Sequence, residues 1–258
     1  MNSHQIINAN NINFNVNIQG RGNPVFLLHG LGGDISHFKE LEHKLSKDFT
    51  TISYDLRGHG KSHKPNAISL QDHIDDLFAL IAYFGLEKSH VLGNSMGSYI
   101  AQYAAISKPT LIDKLVLTVP KASGASSSVQ RLFAEHANEL SGKNMRERVK
   151  LMLKYFTYNP EYMKDYLYLF ETTLPLSQFA IANKALANFD FRPFLPQISN
   201  PTLVISGKYD GLNPSTEGRE VAKLIPNSIF VEMQYSGHAP CHEEPELYYE
   251  LVKEFLED

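Results

Sequence analysis

The sequence predicts an α/β fold: a mostly parallel sheet covered by helices on both faces and interrupted by a helical insertion. Three observations predict it. Short apolar runs at 25–28, 51–54, 91–92, 115–119, 203–205 and 229–233 lack clean polar alternation, as strands buried on both faces do. Helical apolar periods fall between them, at Phe38, Leu41 and Leu45, then at Leu70, Ile74, Leu77, Phe78 and Ile81, and finally at Leu247, Leu251 and Phe255 beside Tyr248, Val252 and Leu256. Strand and helix thus alternate, the pattern of a parallel sheet whose crossovers are helices. From 122 to 198 the rhythm breaks, because helical patterns continue with no buried strand between them.

Taken in order, the first element is a strand in which Ile12, Phe14, Val16 and Ile18 alternate with Asn13, Asn15, Asn17 and Gln19. One wet face makes it an antiparallel or edge strand. Gly85 stands where a C-cap glycine would end the second helix, and Pro245 where a proline fits the first turn of the last. The insertion opens on the flexible run Ser123, Gly124, Ala125, Ser126, Ser127 and Ser128 and closes in a segment punctuated by Pro193, Pro196 and Pro201. The expected organisation is a core of residues 1–121 and 199–258 with a helical cap at 122–198. The cap aromatics Phe133, Tyr155, Phe156, Tyr158, Tyr162, Tyr166, Tyr168, Phe170 and Phe179 read mostly as its own small core, a few as pocket lining. The run 143–150, with Arg146 and Arg148, reads as a solvated helix face.

Composition narrows the function classes. The 258 residues suit one domain with an insertion, and 43% hydrophobic with 20% charged residues excludes a disordered chain. A net charge of -4 offers no cationic excess to neutralise phosphates, so no nucleic-acid partner is expected. No apolar stretch approaches the ~20 residues that span a bilayer, so no membrane partner is expected either. The single cysteine, Cys241, has no intrachain partner, and with the polar N-terminal residues it points to a cytoplasmic protein. Homodimerisation stays open.

The sharpest local signal is Gly93, Asn94, Ser95, Met96, Gly97, which follows the apolar His90, Val91, Leu92 and precedes a helix-like run. A strand turning abruptly into a helix strains the serine backbone and leaves room only for glycine two residues to either side. Such a turn lifts the Ser95 hydroxyl from the carboxyl edge of the sheet and aims the Met96 N–H at an oxyanion. A serine nucleophile needs a base. Of 11 histidines, His238 lies in the loop after the last strand, at the same sheet edge. Its neighbour His242 reads as a helix cap, and His29 and His59 as structural hydrogen-bonding groups. The orienting acid is Asp210, in the turn after the strand 203–205; the preceding strand leads into Pro120 and Lys121 with no acid. A second oxyanion donor is expected from the glycine-rich loop after 25–28, namely the Leu31 N–H.

Other motifs fail. His242, Glu243, Glu244 lacks the spacing of a zinc-binding helix, and Pro245 would break one, so no metal is expected. Gly30, Leu31, Gly32, Gly33 has neither dinucleotide spacing nor a P-loop lysine, so no cofactor is expected.

These residues resemble the α/β-hydrolase superfamily across nearly the whole chain. The motifs that carry the resemblance are 29–33, Asp55 to Ser62, Gly93 to Gly97, Gly207 to Asp210, and Gly237 with His238, in the family's order. The resemblance implies about eight strands, a lid after the sixth, and a structural turn at 55–62. Serine at the elbow, where dehalogenases and epoxide hydrolases carry aspartate, implies acyl hydrolysis. The expected function is therefore a cofactor-independent carboxylesterase on small acyl esters. Alternatives are a carbon–carbon bond hydrolase or enol-lactonase, with Arg192 holding a substrate carboxylate, and a small-molecule receptor on the same scaffold. The elbow is similar to that of carbon–carbon bond hydrolases, which often place glycine where this chain has Ser98.

Overall fold

In the computed structural model, which describes residues 3–125, 127–163 and 174–258, the chain enters its sheet through a hairpin. Strand β1 (Ser3–Ala9) pairs antiparallel with β2 (Ile12–Gly20), Ala9 opposite Ile12. The two residues between them, Asn10 and Asn11, have φ of 47° and 60°. Asparagine tolerates this left-handed region, and two such residues in succession form a turn whose twist matches that of a hairpin. The sequence predicts no strand before Ile12. Only Ile7 of β1 is fully buried, so period-two alternation is too weak to reveal it, and the Asn-Asn pair was the available signal.

The remaining strands are β3 (Pro24–Leu28), β4 (Thr50–Tyr54), β5 (Ser89–Asn94), β6 (Ile112–Thr118), the two-residue β7 (Ser123–Gly124) and β8 (Phe189–Asp190), β9 (Thr202–Gly207) and β10 (Ser228–Met233). Eight form one sheet in the order β1-β2-β4-β3-β5-β6-β9-β10, while β7 and β8 make a separate ribbon. Strand β2 is antiparallel to both neighbours, and every other adjacent pair is parallel. The helices are α1 (Lys39–Leu45), α2 (Leu70–Tyr83), α3 (Met96–Ser107), α4 (Ser128–Glu135), α5 (Ala137–Leu140), α6 (Met145–Phe156), α7 (Pro160–Met163), α8 (Leu176–Lys184), α9 (Ser215–Leu224), α10 (Pro240–Glu243) and α11 (Pro245–Glu257). As expected, Gly85 lies beyond α2 at φ 64° and Pro245 opens α11.

The apolar runs divide by alternation between two cores. Phe26, Leu28, Val91, Leu115, Leu117 and Val204 face α2, α3 and α9. Val25, Leu27, Leu92, Val116, Leu203 and Ile205 face α1 and α11. A strand apolar at every position can satisfy both faces only between two helical layers, and each such side chain contributes roughly 1.5–3 kcal/mol.

Between β6 and β9 the described elements are helical apart from the β7–β8 ribbon. The serine-rich run read as flexible is partly ordered: Ser123 and Gly124 pair with Asp190 and Phe189, and Ser127 accepts the Gln130 N–H as the N-cap of α4. Ser126 lies outside the described residues. The two ends of the inserted stretch, through Ala122, Leu186, Phe191, Leu195 and Ile198, pack into the sheet's own core. Its middle forms a third cluster, in which Leu132, Met152, Leu153 and Phe156 meet Leu212 and Ala239 from the loops beyond β9 and β10.

Glu42 on α1 is only 2% exposed and accepts a hydrogen bond from Asn17 Nδ2 at 3.0 Å. Burial pushes its carboxyl up from an ordinary 4.5 to about 7. Between those values the unfolded chain sheds this proton while the folded chain keeps it, so stability falls as pH rises. The full penalty, roughly 3 kcal/mol, stands above the folded value. Glu42→Gln keeps an acceptor for Asn17 and removes the charge. Urea unfolding should show the variant more stable than the parent by roughly 1–3 kcal/mol at pH 8 and nearly unchanged at pH 4; a larger gain at pH 4 would contradict this account.

Candidate active site

Strand β5 ends at Asn94 and α3 begins at Met96, so Ser95 alone makes the turn. Its backbone sits at φ 52°, ψ -116°, a strained region that costs a non-glycine residue on the order of 1–3 kcal/mol. A Cβ on Gly97 would stand 2.0 Å from the Leu28 carbonyl oxygen, and one on Gly93 2.2 Å from that of Gly97. Ser98, at the position noted as a departure from relatives, is buried and its Oγ donates to the Ser95 carbonyl at 2.6 Å. It braces the first turn of α3.

The three residues singled out as nucleophile, base and acid come together. His238 Nε2 lies 2.9 Å from Ser95 Oγ, and its Nδ1 lies 2.7 Å from Asp210 Oδ2. A carboxylate only accepts, so the imidazole proton belongs on Nδ1 and the Nε2 lone pair faces the serine hydroxyl. The other Asp210 oxygen, Oδ1, accepts the N–H groups of Leu212 at 2.8 Å and Asn213 at 2.9 Å. The His238 N–H donates to the Phe156 carbonyl at 2.7 Å, so the end of α6 holds the histidine loop. Glu243 secures the same loop, accepting from the Gly237 N–H at 2.7 Å and from the Tyr158 N–H at 2.6 Å.

Sequence reasoning missed Asn213. Its Nδ2 donates to the Tyr99 hydroxyl at 2.7 Å and to the Val119 carbonyl at 2.6 Å, and its Oδ1 accepts from Ser128 Oγ at 2.5 Å. It thereby ties the Asp210 loop to Val119 just beyond β6, to α3 and to the first residue of α4. Val119, a β-branched residue at φ 47°, holds the carbonyl that Asn213 needs. No spacing in the sequence marks either residue. His242, read as a helix cap, does not cap α11; its buried ring lies 5.0 Å from that of His37.

The loop after β3 runs beside the serine, since a Cβ on Gly30 would lie 3.4 Å from Ser95 Cβ. His29 fixes this loop: its Nδ1 donates to the Gly30 carbonyl at 2.8 Å, and its Nε2 accepts the Leu56 N–H at 3.0 Å. Burial lowers the His29 pKa, which suits a neutral ring with one donor and one acceptor. Leu31 lines the cavity over Ser95. Met96 is the first residue of α3, where backbone donors have no intrahelical acceptor. The turn at 55–62 is built around buried Asp55, which accepts from Ile35 N–H at 2.9 Å, Asn15 Nδ2 at 2.7 Å and Lys61 N–H at 2.6 Å. His59 likewise bonds the Arg57 carbonyl, at 3.0 Å.

Above Ser95 and His238 lies a cavity of about 100 Å³. Its lining from the inserted stretch includes Val129, Leu132, Phe133, Val149, Phe156 and Phe179. Of the other inserted aromatics, Tyr155 packs beside the third cluster, Tyr158 and Tyr162 are exposed rather than core residues, and Tyr166, Tyr168 and Phe170 lie outside the described residues. Arg192 does not line the cavity; it is ion-paired with Asp190 at 2.6 Å on the surface. No metal is anticipated from local spacing, yet the fold gathers the ligand atoms of buried His37, Cys241 and His242 within 4.8 Å of one another. No helix among the described residues is long and apolar enough to cross a membrane.

Residues 23–245 match the family described as alpha/beta hydrolase fold. A proline iminopeptidase from Clostridium botulinum is 29% identical over 267 residues, covering 92% of this chain and 90% of its own. A thermophilic esterase from Thermogutta terrifontis superimposes with a TM-score of 0.85 at 27% identity, over 99% of this chain and 98% of its own. An enol-lactonase from Burkholderia xenovorans has the same fold, with a TM-score of 0.85 at 24% identity, over 98% of this chain and 100% of its own. With this sheet order and so complete a family match, the chain belongs to the α/β-hydrolase fold family and is a hydrolase.

Proposed function

We propose that the protein is a serine carboxylesterase acting, without a cofactor, on small esters with an uncharged acyl group. The observation that carries this reading is the cavity itself. It joins Ser95 and His238 to apolar side chains, and none of its described lining residues is Asp, Glu, Lys or Arg. Among those residues an acyl group with a carboxylate would find no Lys or Arg, and an aminoacyl group no Asp or Glu for its ammonium. Burying either charge unpaired costs several kcal/mol. A short hydrocarbon chain meets no such penalty, and the 27% identity to an esterase of the same fold supports the same chemistry.

The chemistry follows from the hydrogen-bond geometry. His238 Nε2 takes the Ser95 proton as Oγ attacks the ester carbonyl, while Asp210 holds the imidazolium that forms. The backbone N–H groups of Leu31 and Met96 stabilise the tetrahedral oxyanion. The imidazolium then protonates the departing alcohol, leaving an acyl-Ser95 ester. Water, deprotonated by the same nitrogen, attacks that ester and releases the acid and free Ser95. Asn213 keeps Oδ1 of Asp210 occupied, so only Oδ2 addresses the histidine.

Hydrolysis of p-nitrophenyl esters of graded acyl length tests the reading, with proline p-nitroanilide as the amide control. Short acyl chains should be preferred, and Ser95→Ala should lower kcat by at least ~10⁴-fold. Asp210→Asn should lower it about 10⁴-fold with KM little changed, because the histidine would then present the wrong tautomer. Ester turnover that survives in Ser95→Ala would overturn the nucleophile, and turnover of the anilide alone would overturn the ester assignment.

A further inference from the structure

Beyond the ester chemistry, we propose that His37, Cys241 and His242 form a binding site for a thiophilic d¹⁰ metal ion, Zn²⁺ being the probe of choice. The three side chains come from two distant places, the turn before α1 and the short helix α10, and all are buried, at 8%, 7% and 6% exposure. Their ligand atoms lie within 4.8 Å of one another. Cys241 Sγ and His37 Nε2 are 3.7 Å apart. That separation fits a hydrogen bond to sulfur and is also close to the edge of a tetrahedron whose centre is ~2.3 Å from sulfur and ~2.0 Å from nitrogen. The two imidazole rings meet edge to face at 84°, with centroids 5.0 Å apart.

The surroundings favour coordination over ordinary core packing. Both imidazoles are buried beside the thiol. His242 also engages the His37 main chain, an outer contact of the sort that orients ligating imidazoles. His37 lines the cavity that contains Ser95, so ion and water can reach the cluster, and a water can fill the fourth position. Cys241 would coordinate as its thiolate. Binding therefore displaces its proton: the S–H bond breaks, an S–metal bond forms, and one H⁺ passes to solvent.

The whole chain, stripped with a chelator and dialysed, is titrated with Zn²⁺ against a chromophoric competitor, and separately with Co²⁺ to read a thiolate-to-metal charge-transfer band. One equivalent of Zn²⁺ should bind with release of a proton, and Co²⁺ should develop the band. Cys241→Ala should abolish the band and weaken Zn²⁺ binding at least ~100-fold, beyond the loss expected for a mere outer contact. Metal-free turnover of a p-nitrophenyl ester should persist in that variant, and a matching circular dichroism spectrum would show its fold directly, so the result does not depend on the esterase reading. Sub-stoichiometric binding, or equal affinity in parent and Cys241→Ala, would overturn the site.

Discussion

The close approach of α3 to the strands beneath it is the constraint from which the rest of the site follows. Gly97 lies so near the Leu28 carbonyl, and Gly93 so near Gly97, that neither position has room for a Cβ. The helix can therefore start one residue after β5 ends, and Ser95 must take up the change of direction at positive φ. The strain is offset by what surrounds it: Ser98 bonds the Ser95 carbonyl, the Ser95 N–H bonds the Thr118 carbonyl, and α3 buries Met96, Ile100 and Ala104 in the larger core. A strained serine on a rigid foundation is positioned without the entropy cost of a mobile loop.

The remaining groups reach Ser95 from loops that would be uncertain by themselves. Each is fixed by contacts to a different layer. Asp210 is held by the N–H groups of the two residues that follow Gly211, and Asn213 carries that restraint to Val119, just beyond β6, and to the start of α4. His238 is held through its N–H by the carbonyl that ends α6, and a Cβ on Gly237 would meet that carbonyl at 2.2 Å. The inserted helices thus supply more than an apolar roof. They complete the hydrogen bonding of the loops below, and Leu212 and Ala239 join the two parts in one apolar cluster. Movement of α6 would disturb the histidine as well as the pocket.

Much of this was legible in the sequence because it rests on local rules. Two-sided apolar runs, a G-x-S-x-G turn between strand and helix, and an acid and a histidine after successive strands each follow from residue type and spacing. What was misread has equally physical causes. The first strand escaped because Ile6 and Ile7 fall on opposite faces, which leaves no polar–apolar alternation, and its turn is signalled only by Asn10 and Asn11. The serine-rich run suggested flexibility, whereas Ser127 caps α4 and Ser123 and Gly124 pair with a segment far along the chain. Arg192 suggested an anchor for a carboxylate, but Asp190, two residues away, already holds it.

By itself the sequence determined the layered α/β architecture and singled out Ser95, Asp210 and His238, because backbone sterics, apolar periodicity and chain order act over short spans. Only the tertiary structure decided that these three lie within hydrogen-bond reach, that the cavity above them presents no charged side chain among its described residues, and that His37 meets Cys241 and His242. Those outcomes depend on which side chains from remote segments share a volume, and that is set by the crossing of α3 over the sheet, the docking of α6 on the loops and the packing of α1 and α10 against α11, not by any local preference.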